Sequence, residues 1–343
     1  MVDSGVPAQS IFKAYDIRGI VGQTLTEPVV RRIGAALGLA ARDRGVEAIV
    51  VGRDGRLSGP ALVAALAEGI NRAGVDAIDI GMVPTPVVYY ATYELGTGSG
   101  VAVTGSHNPP EYNGLKMMVA GDTLYGDGIR ALYDTIVADG FERRFEGIAP
   151  GTTRSTDLAE AYLGRITGDV KLARPMKIAV DCGNGVAGAL APELYRRLGC
   201  EVIELFCDVD GNFPNHHPDP AHPENLEDLI RCLRETDAEI GLAFDGDGDR
   251  LGVVTKDGKI IYPDRQLMLF AEDVLSRVPG AQVIYDVKCS RNVAKHVRKH
   301  GGQPLMWRTG HSLVKAKLRE TGAPLAGEMS GHIFFKERWY GFD

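Results

Sequence analysis

No run of apolar residues in this 343-residue chain approaches the ~20 needed to span a bilayer. The amino terminus, MVDSGVPAQSIFKAYDIRG, lacks a basic flank followed by an apolar stretch, so a secretory leader is not expected. Cysteine is scarce: Cys182, Cys200, Cys207, Cys232 and Cys289 form an odd, scattered set without a CxxC pair. A disulfide framework or a cysteine-based zinc site is therefore not the organising element, and a reducing cytoplasm is the expected location. A surplus of positive charge is missing too. The 38 Lys and Arg face 45 Asp and Glu, a net charge of −7. That balance disfavours a nucleic-acid backbone or an anionic membrane as partner, while local basic pockets can still hold a phosphate.

What is present reads as a soluble globular protein, 44% hydrophobic and 24% charged. At ~150 residues per domain its length calls for two or three domains. PVVRRIGAALGLAARDRG reads as a helix, with Thr26 as its cap and Pro28 in the first turn. Short apolar strands (AIVVG, VDAIDIG, GVAVTG) alternate with helices after it, the pattern of βαβ crossovers and a parallel or mixed sheet. EGIAPGTTRSTD, rich in Gly, Ser and Thr, marks a first boundary. The element order then restarts at MKIAVDC and again near Asp257. The expected organisation is thus α/β: consecutive similar modules with mixed sheets at 1–150, 151–256 and 257–343. Polar and glycine-rich motifs mostly follow apolar strands, and open α/β sheets bind ligands beyond the carboxyl ends of their strands.

Three loop systems carry chemistry. In the first, GVAVTG runs into Ser106-His107-Asn108-Pro109-Pro110 and then EYNGLK. The two prolines restrict the loop, and it presents a hydroxyl that needs a base, a metal or a pre-installed phosphoryl group to react. A turn in which Ser106 and Asn108 satisfy backbone groups explains the tripeptide equally well. The second is EIGLAFDGDGDRLGVV, where glycines let Asp245, Asp247 and Asp249 face one point. Three carboxylates are hard oxygen ligands of the kind magnesium prefers, and without a cation they would repel one another. Arg250 follows and suits a phosphoryl oxygen. An EF-hand is excluded, because Arg250 stands where the pattern requires glycine and Lys256 where it requires glutamate. A tight solvated turn is the plainer alternative. The third system, WRTGHS and GEMSGH, supplies Arg308, His311, Ser312, Glu328, Ser330 and His332, groups that suit sugar hydroxyls. Tyr15 and Arg18 in KAYDIRG, and Arg53 and Arg56 in GRDGRLSG, offer further phosphate contacts. DCGNGVAG fits neither GxGxxG nor the P-loop pattern and reads as a close-packed strand-to-helix turn; HHPDPAH reads as a loop and not a zinc site.

TGSHNPPEYNGLK, DGDGDR, RTGHS and GEMSGH, in this order and preceded by KAYDIRG, closely resemble the bacterial phosphomannomutase/phosphoglucomutase branch of the α-D-phosphohexomutase family over essentially the whole chain. GEMSGH fits that branch, whereas phosphoglucosamine mutases typically read GEQSGH. The resemblance implies reversible phosphoryl transfer between the 1- and 6-positions of mannose or glucose phosphate. It implies a phosphoserine at Ser106, a hexose 1,6-bisphosphate as intermediate and activator, and Mg2+ held by Ser106, Asp245, Asp247 and Asp249. Arg250 would contact the reacting phosphoryl group, and Glu328 and Ser330 the sugar hydroxyls. Lys116, His311 and His107 become candidates for acid/base and electrostatic roles, and Tyr15, Arg18, Lys288, Arg308 and His332 for the remaining substrate contacts. Family members place four domains around a central cleft. The fourth, which cradles the non-reacting phosphate, is expected to be absent here, and a monomer is expected once that region is restored. Two alternatives share the motifs: a phosphoglucosamine mutase and a non-catalytic sugar-phosphate-binding fragment.

Overall fold

The computed structural model describes residues 5–337 and 339. These fall into two compact units: one runs through Gly164 and takes in Asp210–Pro214, and the other comprises Arg165–Val209 and the chain from Asn215 onward. Three sheets, each containing parallel and antiparallel pairs, give the mixed α/β architecture expected from the alternating pattern. No helix among the described residues is long and apolar enough to cross a membrane.

In the first unit, the helix Glu27–Arg42 begins as its sequence dictates. Thr26 is extended and its hydroxyl accepts from the Val29 amide, while Pro28 occupies the first turn, where no intrahelical donor is needed. The buried face of this helix (Val30, Ile33, Leu37) joins Ile49, Val51, Leu66 and Val101 in one apolar core. The sheet runs Ile17–Ile20, Tyr112–Val119, Gly100–Val103, Ala48–Arg53, Asp76–Met82, Thr153–Ser155, with Asp122–Thr123 beside Tyr112–Val119. One pairing positions the site. Ala48–Arg53 and Gly100–Val103 are parallel, with Arg53 opposite Val103, so Asp54 and Thr104 leave the sheet side by side.

Two segments differ from the sequence reading. Tyr112–Val119, taken from EYNGLK as loop, is a strand, and seven of its eight residues are buried. Buried on both faces, it shows no alternation of polar and apolar residues that would reveal it. Within the boundary-like stretch, Thr153–Ser155 pairs in parallel with Asp76–Met82 at the edge of the first sheet.

The second unit holds the other two sheets. The five-stranded sheet runs Ile260–Ile261, Leu251–Thr255, Ile240–Phe244, Lys177–Asp181, Glu201–Leu205. Ile240–Phe244 and Leu251–Thr255 form an antiparallel hairpin with Phe244 opposite Leu251, so the connection at 245–250 is DGDGDR itself. In the four-stranded sheet, Gln282–Asp286 lies between Gln303–Trp307 and Leu325–Gly327, parallel to both, and Ile333–Phe335 closes the edge. The loops after these three parallel strands therefore leave from one edge of the sheet. They are VKCS, RTGHS and GEMSGH.

Candidate active site

Ser106 is the third residue in a loop built around two buried ions of opposite sign. Asp54 accepts from Thr104 Oγ1 (2.7 Å), from the amides of Gly105 (3.1 Å) and Arg56 (2.9 Å), and from Arg56 Nε (3.2 Å). The Arg56 guanidinium then donates to four backbone carbonyls of the serine loop: Nη1 to Pro109 (2.6 Å) and Tyr112 (3.0 Å), Nη2 to Ser106 (2.9 Å) and Asn108 (2.6 Å). Arg56 is 1% exposed. It is a staple for the loop and not the phosphate contact that GRDGRLSG offered. Gly105 is required for the same reason, since a Cβ there would lie 2.3 Å from Arg56 Nε. Ser106 itself sits at φ 49°, a left-handed conformation that costs a non-glycine residue on the order of 1–3 kcal/mol. Its amide donates to Thr104 Oγ1 (2.8 Å) and its Oγ lies 3.1 Å from His107 Nδ1. Lys116 is buried opposite Ala102 on the strand beside this loop, and Arg18 lies opposite Gly114 and pairs with Asp16. Tyr15 is exposed in the preceding segment.

In the second unit, Asp245, Asp247 and Asp249 are all buried and bring carboxylate oxygens within 4.8 Å of one another. Asp245 Oδ1 accepts from the amides of Asp249 (3.1 Å) and Arg250 (3.2 Å), which curls the hairpin connection back on itself. Neighbouring loops fix the curl. The Gly246 amide donates to Pro218 O (3.1 Å), and Gly246 O accepts from the Val186 amide (3.2 Å). DCGNGVAG is thus the close-packed turn expected, and HHPDPAH braces the acidic loop. The Arg250 side chain is 5% exposed, with Nε 3.1 Å from Asp245 Oδ2 and Nη1 3.6 Å from Asp219 Oδ1. Burial alone would pull its pKa down. Asp245, Asp219, Asp249 and Asp247 more than offset this, so the guanidinium is held above its ordinary range. Asp245, Asp247 and Asp249 converge on one point, and their all-oxygen donor set fits a hard divalent cation. The site could hold a metal ion.

The third group of residues adjoins the acidic loop within this unit. Gly331 packs on the aliphatic stem of Arg250, a Cβ there falling 3.3 Å from Arg250 Cβ, and His332 Nδ1 is 3.7 Å from Asp249 Oδ1. Glu328, 2% exposed, accepts from the Gly310 amide and from Ser330 Oγ (3.4 Å). The His311 and His332 rings lie 5.7 Å apart, so RTGHS and GEMSGH share one patch. Lys288 and Arg308 are exposed at the same sheet edge, beyond the paired residues Asp286 and Trp307.

Sequence reasoning missed the residues that hold these loops. Asp286, fully buried, accepts from the amides of Cys289 (3.1 Å) and Met329 (3.3 Å) and from Thr309 Oγ1 (2.9 Å), clasping all three loops of its sheet. Asp181 accepts from the Gly183 amide (2.9 Å) and lies 3.0 Å from His216 Nε2. An Asp closing an apolar strand was the available signal for both.

Comparison with known proteins bears on the whole chain. Residues 9–143, 160–258 and 262–343 match the models of phosphoglucomutase/phosphomannomutase α/β/α domains I, II and III. A Pseudomonas putida phosphomannomutase/phosphoglucomutase is 57% identical over 100% of this chain and 73% of its own length. A phosphoglucomutase of Neisseria gonorrhoeae is 58% identical over 98% of this chain and 72% of its own. The crystal structure of a phosphoglucomutase/phosphomannomutase family protein from Burkholderia thailandensis, 65% identical, superposes with a TM-score of 0.94 over 98% of this chain and 74% of that one. Matched along three successive domains and by relatives more than half identical, the chain belongs to the phosphoglucomutase/phosphomannomutase family.

Proposed function

We propose that this chain interconverts the 1- and 6-phosphates of glucose or mannose through a phosphoserine at Ser106 and a hexose 1,6-bisphosphate. The observation that carries the reading is the serine loop. A buried hydroxyl at positive φ lies against an imidazole, in a loop whose carbonyls converge on one guanidinium. A loop merely connecting two strands has no need of that constraint; a phosphoryl donor that must not reorganise does. The names of the relatives, phosphomannomutase/phosphoglucomutase and phosphoglucomutase, support the same reaction class. On this reading, module 1–150 carries the serine, 151–256 the metal ligands and 257–343 the sugar contacts.

Phospho-Ser106 gives its phosphoryl group to the free hydroxyl of a hexose monophosphate. The P–Oγ bond breaks, a P–O bond to the sugar forms, and the sugar hydroxyl loses its proton. The bisphosphate turns end for end and the other phosphoryl group returns to Oγ. His107 Nδ1, 3.1 Å from Oγ, is within reach to give and take the serine proton. Lys116 is the candidate for the sugar proton. Asp245, Asp247 and Asp249, with the phosphoserine, would hold Mg2+, which when bound supplies counter-charge to the phosphoryl oxygens. Arg250, held charged by its carboxylate neighbours, balances the transferring group. Glu328, Ser330, His311 and His332 grip sugar hydroxyls, with Glu328 already oriented by the Gly310 amide. Tyr15, Arg18, Lys288 and Arg308 complete the contacts.

Peptide mass spectrometry after incubation with glucose 1,6-bisphosphate tests the assignment. One phosphate is expected on Ser106, and Ser106→Ala should lose both the phosphate and mutase turnover while folding normally. Normal turnover in Ser106→Ala would exclude the mechanism.

A further inference from the structure

Away from the loops described above, the second unit carries another set of ligating side chains: Glu272, His296 and His300. His296 lies in the helix Arg291–Lys299 and His300 caps it, so the two imidazoles are four residues apart and share one helix face. Glu272 comes from the neighbouring helix, Pro263–Arg277. The imidazole rings are stacked, with centroids 4.4 Å apart and planes 27° from parallel. Both Nε2 atoms approach the same carboxylate oxygen, Glu272 Oε2, at 3.5 and 3.6 Å. Both are shielded from solvent, and neither makes a hydrogen bond.

The spacing discriminates between two explanations. A charge-assisted N–H···O contact closes to about 2.7–2.9 Å. Ligands about 2.0–2.2 Å from a tetrahedral zinc stand about 3.4 Å apart. The observed 3.5 and 3.6 Å match the edge length of such a polyhedron and exceed the length of a charge-assisted hydrogen bond. Two imidazoles and one carboxylate form a borderline-soft donor set, unlike the all-oxygen acidic loop. Glu272 is 54% exposed, so its carboxylate can swing aside to admit an ion.

We propose that Glu272, His296 and His300 form a second metal site that takes a Zn2+-class divalent ion, with the fourth position open to water. The ion would tie the two helices that carry its ligands. The inference stands independently of the reaction assigned above.

Equilibrium dialysis of the 343-residue protein against Zn2+ in excess Mg2+ tests it, with Co2+ as a visible-absorption probe of tetrahedral coordination. One equivalent should bind. His296→Gln and His300→Gln should each weaken it on the order of tenfold or more, and Glu272→Gln should weaken it as well. Glu272→Gln changes only a half-exposed side chain, so it keeps the test meaningful should a histidine variant misfold. Mutase activity with Mg2+ should be unchanged in all three. Zn2+ uptake equal in wild type and variants, uptake abolished instead by Asp247→Asn/Asp249→Asn, or Co2+ bound without tetrahedral bands would each overturn the proposal.

Discussion

Replacing Arg56 with Met removes the cation on which the serine loop converges, and the cost follows from what is left behind. Asp54, 2% exposed, would lose the buried ion pair that Arg56 makes with it. The carbonyls of Ser106, Asn108, Pro109 and Tyr112 would lose a common donor. A stranded buried polar group costs roughly 1–3 kcal/mol and a broken buried ion pair roughly 3–5 kcal/mol. These penalties overlap, because water entering the gap relieves several groups at once. A loss of about 3–5 kcal/mol in the first unit is therefore expected. Lys keeps the charge but replaces a five-donor fork with a point, so Arg56→Lys should fall between wild type and Met. Neutralising the partner as well, in Asp54→Asn/Arg56→Met, should recover part of the loss.

Tryptophan fluorescence cannot report this, since Trp307 and Trp339 both belong to the second unit. Amide exchange can. The amides of Ser106, Asn108 and Tyr112 are hydrogen-bonded inside the loop, and their protection should fall in Arg56→Met along with phosphoryl transfer. A shift in unfolding below ~0.5 kcal/mol, with loop protection intact, would refute the staple argument.

Two further outcomes follow from the second unit. Asp247→Asn/Asp249→Asn should abolish the heat of Mg2+ binding in calorimetric titration while leaving the Arg250–Asp245 pair in place; unchanged affinity would remove the acidic loop as the metal site. For His216, burial lowers the pKa, but the hydrogen bond and charge of Asp181 outweigh it, so the folded value lies above the ordinary 6.5. The stabilisation from protonated His216 is then fully present below about pH 6.5 and lost as pH rises through the folded value. The gap in unfolding free energy between wild type and His216→Gln should narrow from pH 6 to pH 9, and a gap that widens would reverse the assignment.

How much of this was legible depends on the range over which each feature is determined. The capped helix at Glu27–Arg42 and the apolar strands follow from neighbours in sequence, and both could be read. The acidic loop was legible because its three carboxylates lie within five residues. Arg56 was misread because its function lies in contacts about fifty residues away in sequence, which no local pattern records. Tyr112–Val119 was missed because Asn113, Gly114 and Lys116 carry no strand signal; pairing on both sides makes it a strand.

One local signal was present and went unused. Asp54, Asp181, Asp245 and Asp286 each stand at or just beyond the end of an apolar strand, and none is more than 2% exposed. Each accepts from backbone amides of the loop that follows: Arg56 at Asp54, Gly183 at Asp181, Asp249 and Arg250 at Asp245, Cys289 at Asp286. A short acceptor at this point satisfies the first donors of a loop that has left the sheet, which is why Asp recurs there. Such an Asp therefore marks a shaped loop, and by itself says nothing about chemistry. Asp245 differs from the other three in its surroundings. Asp247 and Asp249 follow within the same turn, Arg250 and Asp219 close over it, and three carboxylates converge on one point. That convergence, and not the buried aspartate alone, is what a backbone-shaping role leaves unexplained and a bound cation would account for.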